Sequence, residues 1–148
     1  MNGPYAGVAT RAVALAVDAA LAHLIVLAGG AVLALAASLV GNATLDTAEK
    51  LLAAFGWAFT VGAYFVLFWT TTGQTPGMRL MGVRVLAPEG EHMRLTRALV
   101  RLVGLALAII PCFAGFLPVL VDDRRRALQD FLAGTVVVYA VPAAVAPA

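Results

Sequence analysis

The stretch VATRAVALAVDAALAHLIVLAGGAVLALAASLV, Val8 to Val40, decides how this chain folds. Only Arg11, Asp18, His23 and Ser38 interrupt an almost continuous apolar run, which stops at a turn-like Gly41-Asn42. At about 1.5 Å per helical residue the run is longer than a hydrocarbon core of about 30 Å is thick. A first transmembrane helix over 8–40 is predicted, one that tilts, kinks near Gly29-Gly30 or protrudes into a partner. A cleaved signal peptide is disfavoured, because its apolar region would be too long and would contain an acid.

The rest of the chain agrees with that solvent. Of 148 residues 62% are hydrophobic and only 12% charged, with a mean hydropathy of +0.94. A soluble domain of this size needs about twice that share of charge to solvate its shell. The same shortage argues against a disordered chain and against a nucleic-acid binder. A single cysteine, Cys112, excludes an internal disulfide.

Moving toward the C-terminus, Asp46 and Glu49 have the spacing of a helix start, and an apolar run with Trp57, Tyr64, Phe65 and Trp69 follows. This is the second span, 51–71. The two tryptophans suit the two membrane interfaces, with core packing as the competing explanation. Asn42-Ala43-Thr44 matches a glycosylation acceptor only by chance. Gly73 can close the second helix, Thr75-Pro76 can cap and start a short new one, and Gly82 can end it. Beyond it, 82–86 and 93–96 flank the turn residues 87–91, and Val83-Arg84-Val85 alternates like a strand. A small interfacial β-hairpin is expected there, against an amphipathic loop. A third apolar stretch, 102–121, is broken by Pro111, Gly115 and Pro118. Gly134 to Tyr139 is a run suited to a short strand, and a pairing with Val83 to Leu86 is considered for it.

The fold class is therefore all-α integral membrane: two full spans, a broken third segment that re-enters or crosses, and a loop strand. We read 1–148 as one membrane domain with a cytoplasmic loop at 72–101 and a cytoplasmic tail at 122–148. Arg11, Arg79, Arg84, Arg94, Arg97 and Arg101 gather on one side, while the first inter-span loop offers only Lys50. The positive-inside rule then puts the N-terminus in the cytoplasm. A re-entrant 102–121 is preferred because it keeps Arg124, Arg125 and Arg126 on that same side; it also requires protein or water to cover the broken backbone.

Arg11 and Asp18 are seven residues apart, so they lie within about 20° of one helix face and about 10 Å apart along the axis. Arg11 is expected to snorkel to the surface. Asp18 stays at membrane depth, where an aspartate costs roughly 2.5 to 3.5 kcal/mol on insertion scales. Either it is a buried anchor, accepting from an arginine, a freed amide near Pro111 or a hydroxyl such as Thr60, or it is a protonatable group lining a cavity. His23 points elsewhere and reads as packing. Asp130 reads as a surface partner of a nearby arginine such as Arg126, worth little. The triplet Arg124, Arg125 and Arg126 reads as contacts to anionic headgroups, about 1 kcal/mol each. The helix start at Thr75 is a weak anion site without a glycine-rich consensus. Small residues at Gly29 and at Ala58 and Gly62 offer surfaces for helix packing. The sequence has no metal cluster, nucleophile elbow or carboxylate pair, so neither an enzyme nor a cofactor is expected.

Taken together, Tyr5-Ala6-Gly7 before Arg11 and Asp18, then Gln74-Thr75-Pro76-Gly77-Met78-Arg79-Leu80-Met81-Gly82-Val83-Arg84-Val85, then 122–135 resemble the RDD family. That family is named for an arginine at the start of the first membrane helix, an aspartate within it and a later aspartate. The resemblance implies that Arg11, Asp18 and Asp130 form its polar network and that Gln74, Thr75, Pro76, Gly77 and Arg79 form its motif loop. Met78 and Gln129 depart from it, since relatives commonly carry a basic residue and often a histidine there. The first departure thins any anion patch and the second makes a histidine proton step improbable.

Size narrows the functional classes. Two or three spans cannot enclose a permeation path and also cover broken backbone, so the expected role is that of a homo-oligomer or an accessory subunit in a larger complex. The Ala-rich composition suits a multi-pass protein of a bacterial inner membrane, with lipids as partners and no nucleic acid. A cation/proton or small-solute transporter using Asp18 is the alternative, in line with the transport suggested for some members of the family.

Overall fold

The computed structural model describes residues 5–40, 47–88, 93–111 and 113–140. The turn at Gly41-Asn42, the acceptor-like Asn42 to Thr44, Asp46, the turn residues 89–91 and Cys112 lie outside them. Helix α1 spans Val8–Val40 and α2 spans Thr47–Thr71, so the two predicted spans are present with their boundaries nearly as read. Both are long and apolar enough to cross a membrane. α3 is the short Pro76–Leu80, followed by β1 (Val83–Leu86), α4 (Leu95–Ile109), a 3-10 segment (Ala114–Leu120), α5 (Leu128–Ala133) and β2 (Val136–Tyr139).

The turn chemistry explains why the middle of the chain folds compactly. Gly73, Gly82 and Gly134 have φ of +67°, +63° and +64°, conformations that glycine adopts without Cβ strain. Between the first two, Thr75 caps α3 through its side chain and Pro76 occupies the first turn.

One expectation needs correcting. β1 forms over 83–86, but it pairs antiparallel with β2, from Val83 opposite Tyr139 to Leu86 opposite Val136. The hairpin with 93–96 does not exist, because Leu95 already begins α4. Its buried residues Ala98, Arg101, Gly104, Leu105 and Ala108 repeat at helical, not strand, spacing. β2 supplies four consecutive β-formers and buries Val137. The N-terminal strand-like residues also join, with Ala6 N–H donating to the Val137 carbonyl at 2.9 Å.

The third apolar stretch bends by 102° between α4 and the 3-10 segment. Pro111 sits at the bend and Phe113 takes a left-handed φ of +62°. The returning segment packs so closely that a Cβ added to Gly115 would lie 2.4 Å from Ala108 Cβ. Arg101 before the bend binds Asp130, which binds Arg11, and after the bend the Arg125 carbonyl accepts from Arg11. The segment thus leaves and returns near the same end of α1.

The buried polar side chains among the described residues gather at one end of the molecule. The start of α1, the end of α2, α3, the sheet and α5 surround a core built on Trp69, Phe65, Tyr64, Val83 and Val137. At the other end α1 and α2 run on almost bare. From His23 to Leu39 only Val26 is partly covered, and α2 is exposed from Glu49 to Phe59.

Candidate functional site

Two buried polar clusters lie side by side at the polar end. The first is built on Asp18, 1% exposed. Its Oδ1 accepts from the Tyr64 hydroxyl at 3.0 Å and from the Gly77 amide at 2.7 Å, and its Oδ2 accepts from the Thr75 hydroxyl. Thr75 Oγ1 in turn accepts from the Met78 amide, so the residue that caps α3 also fastens it to α1. Gly77 is required by this approach: an added Cβ would stand 2.2 Å from the Ala14 carbonyl oxygen and 2.8 Å from the Asp18 carboxyl carbon. Three donors make up for the water that the carboxyl loses on burial. Of the two readings of Asp18, the hydrogen-bonding anchor describes its bonds, and two of its donors are hydroxyls, one of the donor types expected, but those of Tyr64 and Thr75. Among the described residues no arginine and no amide near Pro111 reaches it, and Thr60 bonds instead to the Gly56 carbonyl.

The second cluster is built on Asp130, fully buried in the first turn of α5. Arg11 binds one carboxylate oxygen and Arg101 the other. The Ala127 amide donates at 3.0 Å, and Arg101 also donates to the Thr135 hydroxyl at 2.7 Å. Burial works to raise the Asp130 pKa, but the charges of Arg101 and Arg11, with the Ala127 amide, hold it below the usual carboxylate value. Two expectations are corrected here. Arg11 does not snorkel; it is 6% exposed and donates to the Ala6 carbonyl at 3.1 Å and the Arg125 carbonyl at 2.6 Å. Asp130 is no surface partner of Arg126, which instead grips Asp122 at 2.9 and 3.0 Å. The Arg126 hydrogen bonds hold the Asp122 carboxyl down to about 2.

The predicted network is therefore split. Arg11 and Asp130 meet directly, while Asp18 faces a different set of donors, and a small cavity bordered by Arg11, Asp18, Trp69, Arg101 and Gln129 lies between the clusters. In the motif loop, Gln74 donates to the Val83 carbonyl at 3.0 Å, Thr75 and Gly77 hold Asp18, Pro76 starts α3, and Arg79 is exposed. Met78 packs against the core, where a charged side chain would be desolvated. Of the triplet, Arg124 is exposed, Arg125 lends its carbonyl to Arg11, and Arg126 also stacks 4.2 Å over Phe131. His23 accepts a long 3.4 Å bond from the exposed Trp57, whereas Trp69 is buried under the Arg101 guanidinium at 5.0 Å. Packing therefore explains Trp69.

Sequence reasoning missed Arg101, Tyr64, Gln129 and Thr135. Arg101 did leave a signal, because it falls on the α4 stripe of small and apolar residues that faces the core. Among the described residues no three His, Cys, Asp or Glu side chains gather to hold a metal.

Comparison with known proteins gives the same picture from outside the structure. No match is found among curated proteins or among solved structures. The RDD family model matches residues 5–134, which take in both spans, the motif loop and both clusters except Thr135. The chain is thus an integral membrane protein with apolar spanning helices, and it belongs to the RDD family.

Proposed function

We propose that this protein works as a membrane subunit, assembled with further copies of itself or within a larger complex, and that the two polar clusters clasp its cytoplasmic end into shape. The bare ends of α1 and α2 carry this reading. α1 extends about 50 Å against a hydrocarbon core of about 30 Å. A Cβ added at Gly29, Gly30 or Gly56 would meet nothing within 4 Å. Small-residue faces let membrane helices approach closely, and here they have no neighbour among the described residues. Asp18 and Asp130, which a transporter would need free, instead spend their acceptors on joining α1 to α3 and α5. The charge distribution favours an N-terminus in the cytoplasm of a bacterial inner membrane, with exposed Arg124 against anionic headgroups.

Isolation in a mild detergent tests this, with the mass of the particle as the readout. A mass of several copies, or a stoichiometric second protein, is expected, and a lone protomer in micelles and in nanodiscs alike would overturn it. The second reading, cation/proton or small-solute transport, draws on the cavity shared by the clusters. Purified protein in vesicles should then exchange cations in a pH-dependent way, and Asp18→Asn should abolish the exchange.

A further inference from the structure

Three buried polar atoms in the described part of the protein have no hydrogen-bonding partner: Trp69 Nε1, Arg101 Nε and Gln129 Oε1. Their residues are 2%, 2% and 4% exposed and come from α2, α4 and α5. All three line the same cavity of about 30 Å³ between the two clusters. Leaving such groups unpaired costs about 1–3 kcal/mol each, so three orphans around one space point to something that occupies it.

The chemistry selects the occupant. Two orphans donate and one accepts, so the occupant must both accept and donate. The charged groups bordering the space are Arg11, Arg101 and Asp18; Asp130, outside the lining, pairs with both arginines, so the local charges balance formally and give an ion no net charge to seek. A cavity needs roughly 10–15 Å³ to hold a water, and this one exceeds that by room for little more than a second. We infer that the cavity is a binding site for a small neutral hydrogen-bonding molecule, filled in the resting protein by one or two waters. That water accepts from Trp69 Nε1 and Arg101 Nε and donates to Gln129 Oε1.

The site has a thin apolar wall. Leu15, Phe65, Leu105 and Phe116 border the cavity on one side and a larger apolar groove between α1, α2 and α4 on the other. The water is therefore one layer of side chains away from the groove. Both clusters touch the cavity, so its occupant joins Asp18 and the Asp130 ion cluster in one polar compartment. The inference does not depend on the subunit reading or on transport.

The test uses full-length protein in lipid nanodiscs with ¹⁵N-labelled tryptophan, in a Trp57→Phe background that leaves Trp69 as the single indole. Magnetisation transfer from water to the Trp69 indole N–H is expected in the parent. It should be largely lost in Val137→Ile and in Val83→Ile, each of which adds one methylene to a residue lining the cavity. Two fillers are used so that misfolding of one does not decide the result, and dispersion of the remaining amides checks the fold. No transfer in the parent, or transfer undiminished in both folded fillers, would overturn the proposal. So would an indole shift that follows exchange of chloride for gluconate, because the occupant would then be an anion.

Discussion

Replacing Asp130 by asparagine tests the larger cluster most directly. Asp130 is fully buried and holds two guanidinium groups that are themselves 6% and 2% exposed. The substitution keeps the shape and an acceptor for the Ala127 amide but removes the only carboxylate bound to Arg11 and Arg101 among the described residues. Breaking a buried ion pair from one side costs about 3–5 kcal/mol, because charge is left in low dielectric without compensation. By contrast Asp122→Asn removes a partly exposed pair with Arg126, of a kind that adds little to stability. At 1.4 kcal/mol per tenfold, Asp130→Asn should shift the folded-to-unfolded ratio by about two to three and a half orders of magnitude. Reversible unfolding in mixed micelles reads this, with Asp122→Asn beside it as the control. A further variant with Arg11→Met, Arg101→Met and Asp130→Leu together should recover much of the loss, since an apolar substitute for a buried ion cluster is often neutral or better. If Asp130→Asn unfolds with Asp122→Asn, or if the triple variant is worse than the single, the electrostatic reasoning is wrong.

Other outcomes follow from the same geometry. Gly77→Ala should separate α3 from α1 and destabilise the protein by more than about 1 kcal/mol, whereas Gly29→Ala, which meets open space, should be neutral or slightly stabilising; both are read in the same micelle assay. Asp18→Asn should cost about 1–3 kcal/mol, because an amide nitrogen would face the Thr75, Gly77 or Tyr64 donors. Acid should unfold the polar end: the Asp130 pKa is depressed in the folded state, so its contribution is present above the unfolded carboxylate value near 4 and fades as pH falls through the lower folded value. A pH series of hydrogen exchange at β2 and α5 checks that direction. Arg124→Cys and Arg84→Cys should react with an impermeant thiol reagent from the same side of the membrane, since re-entry returns the chain to the side it left.

Spans were legible because a membrane helix is declared by local composition: twenty or so apolar residues need no tertiary information. The short helix at Thr75-Pro76 was legible for a similar reason, its cap and its prolyl start being neighbours in sequence. The pairing of β1 was not. Val83 to Leu86 is a strand by its own residues, but whether 93–96 or 136–139 lies beside it depends on contacts made across the fold. Asp130 was misjudged because Arg126 lies one helical turn away in sequence, while its true partners are 119 and 29 residues distant. Arg101 was overlooked as one more basic loop residue, although it stands on the buried stripe of α4. Asp18 was legible as a carboxyl that needs company; the identity of that company was a tertiary fact.

The span of the Arg11 to Asp130 bond sets a schedule for biosynthesis. Arg11 is translated 119 residues before its counter-ion. Until then the guanidinium of the first helix has the Ala6 carbonyl but not its carboxylate, so closure of the polar end waits for α5. A nascent chain stopped before α5 is left with two cations that lack their carboxylate. In this molecule the charges of the first helix and of α4 are balanced together, by one residue made after both.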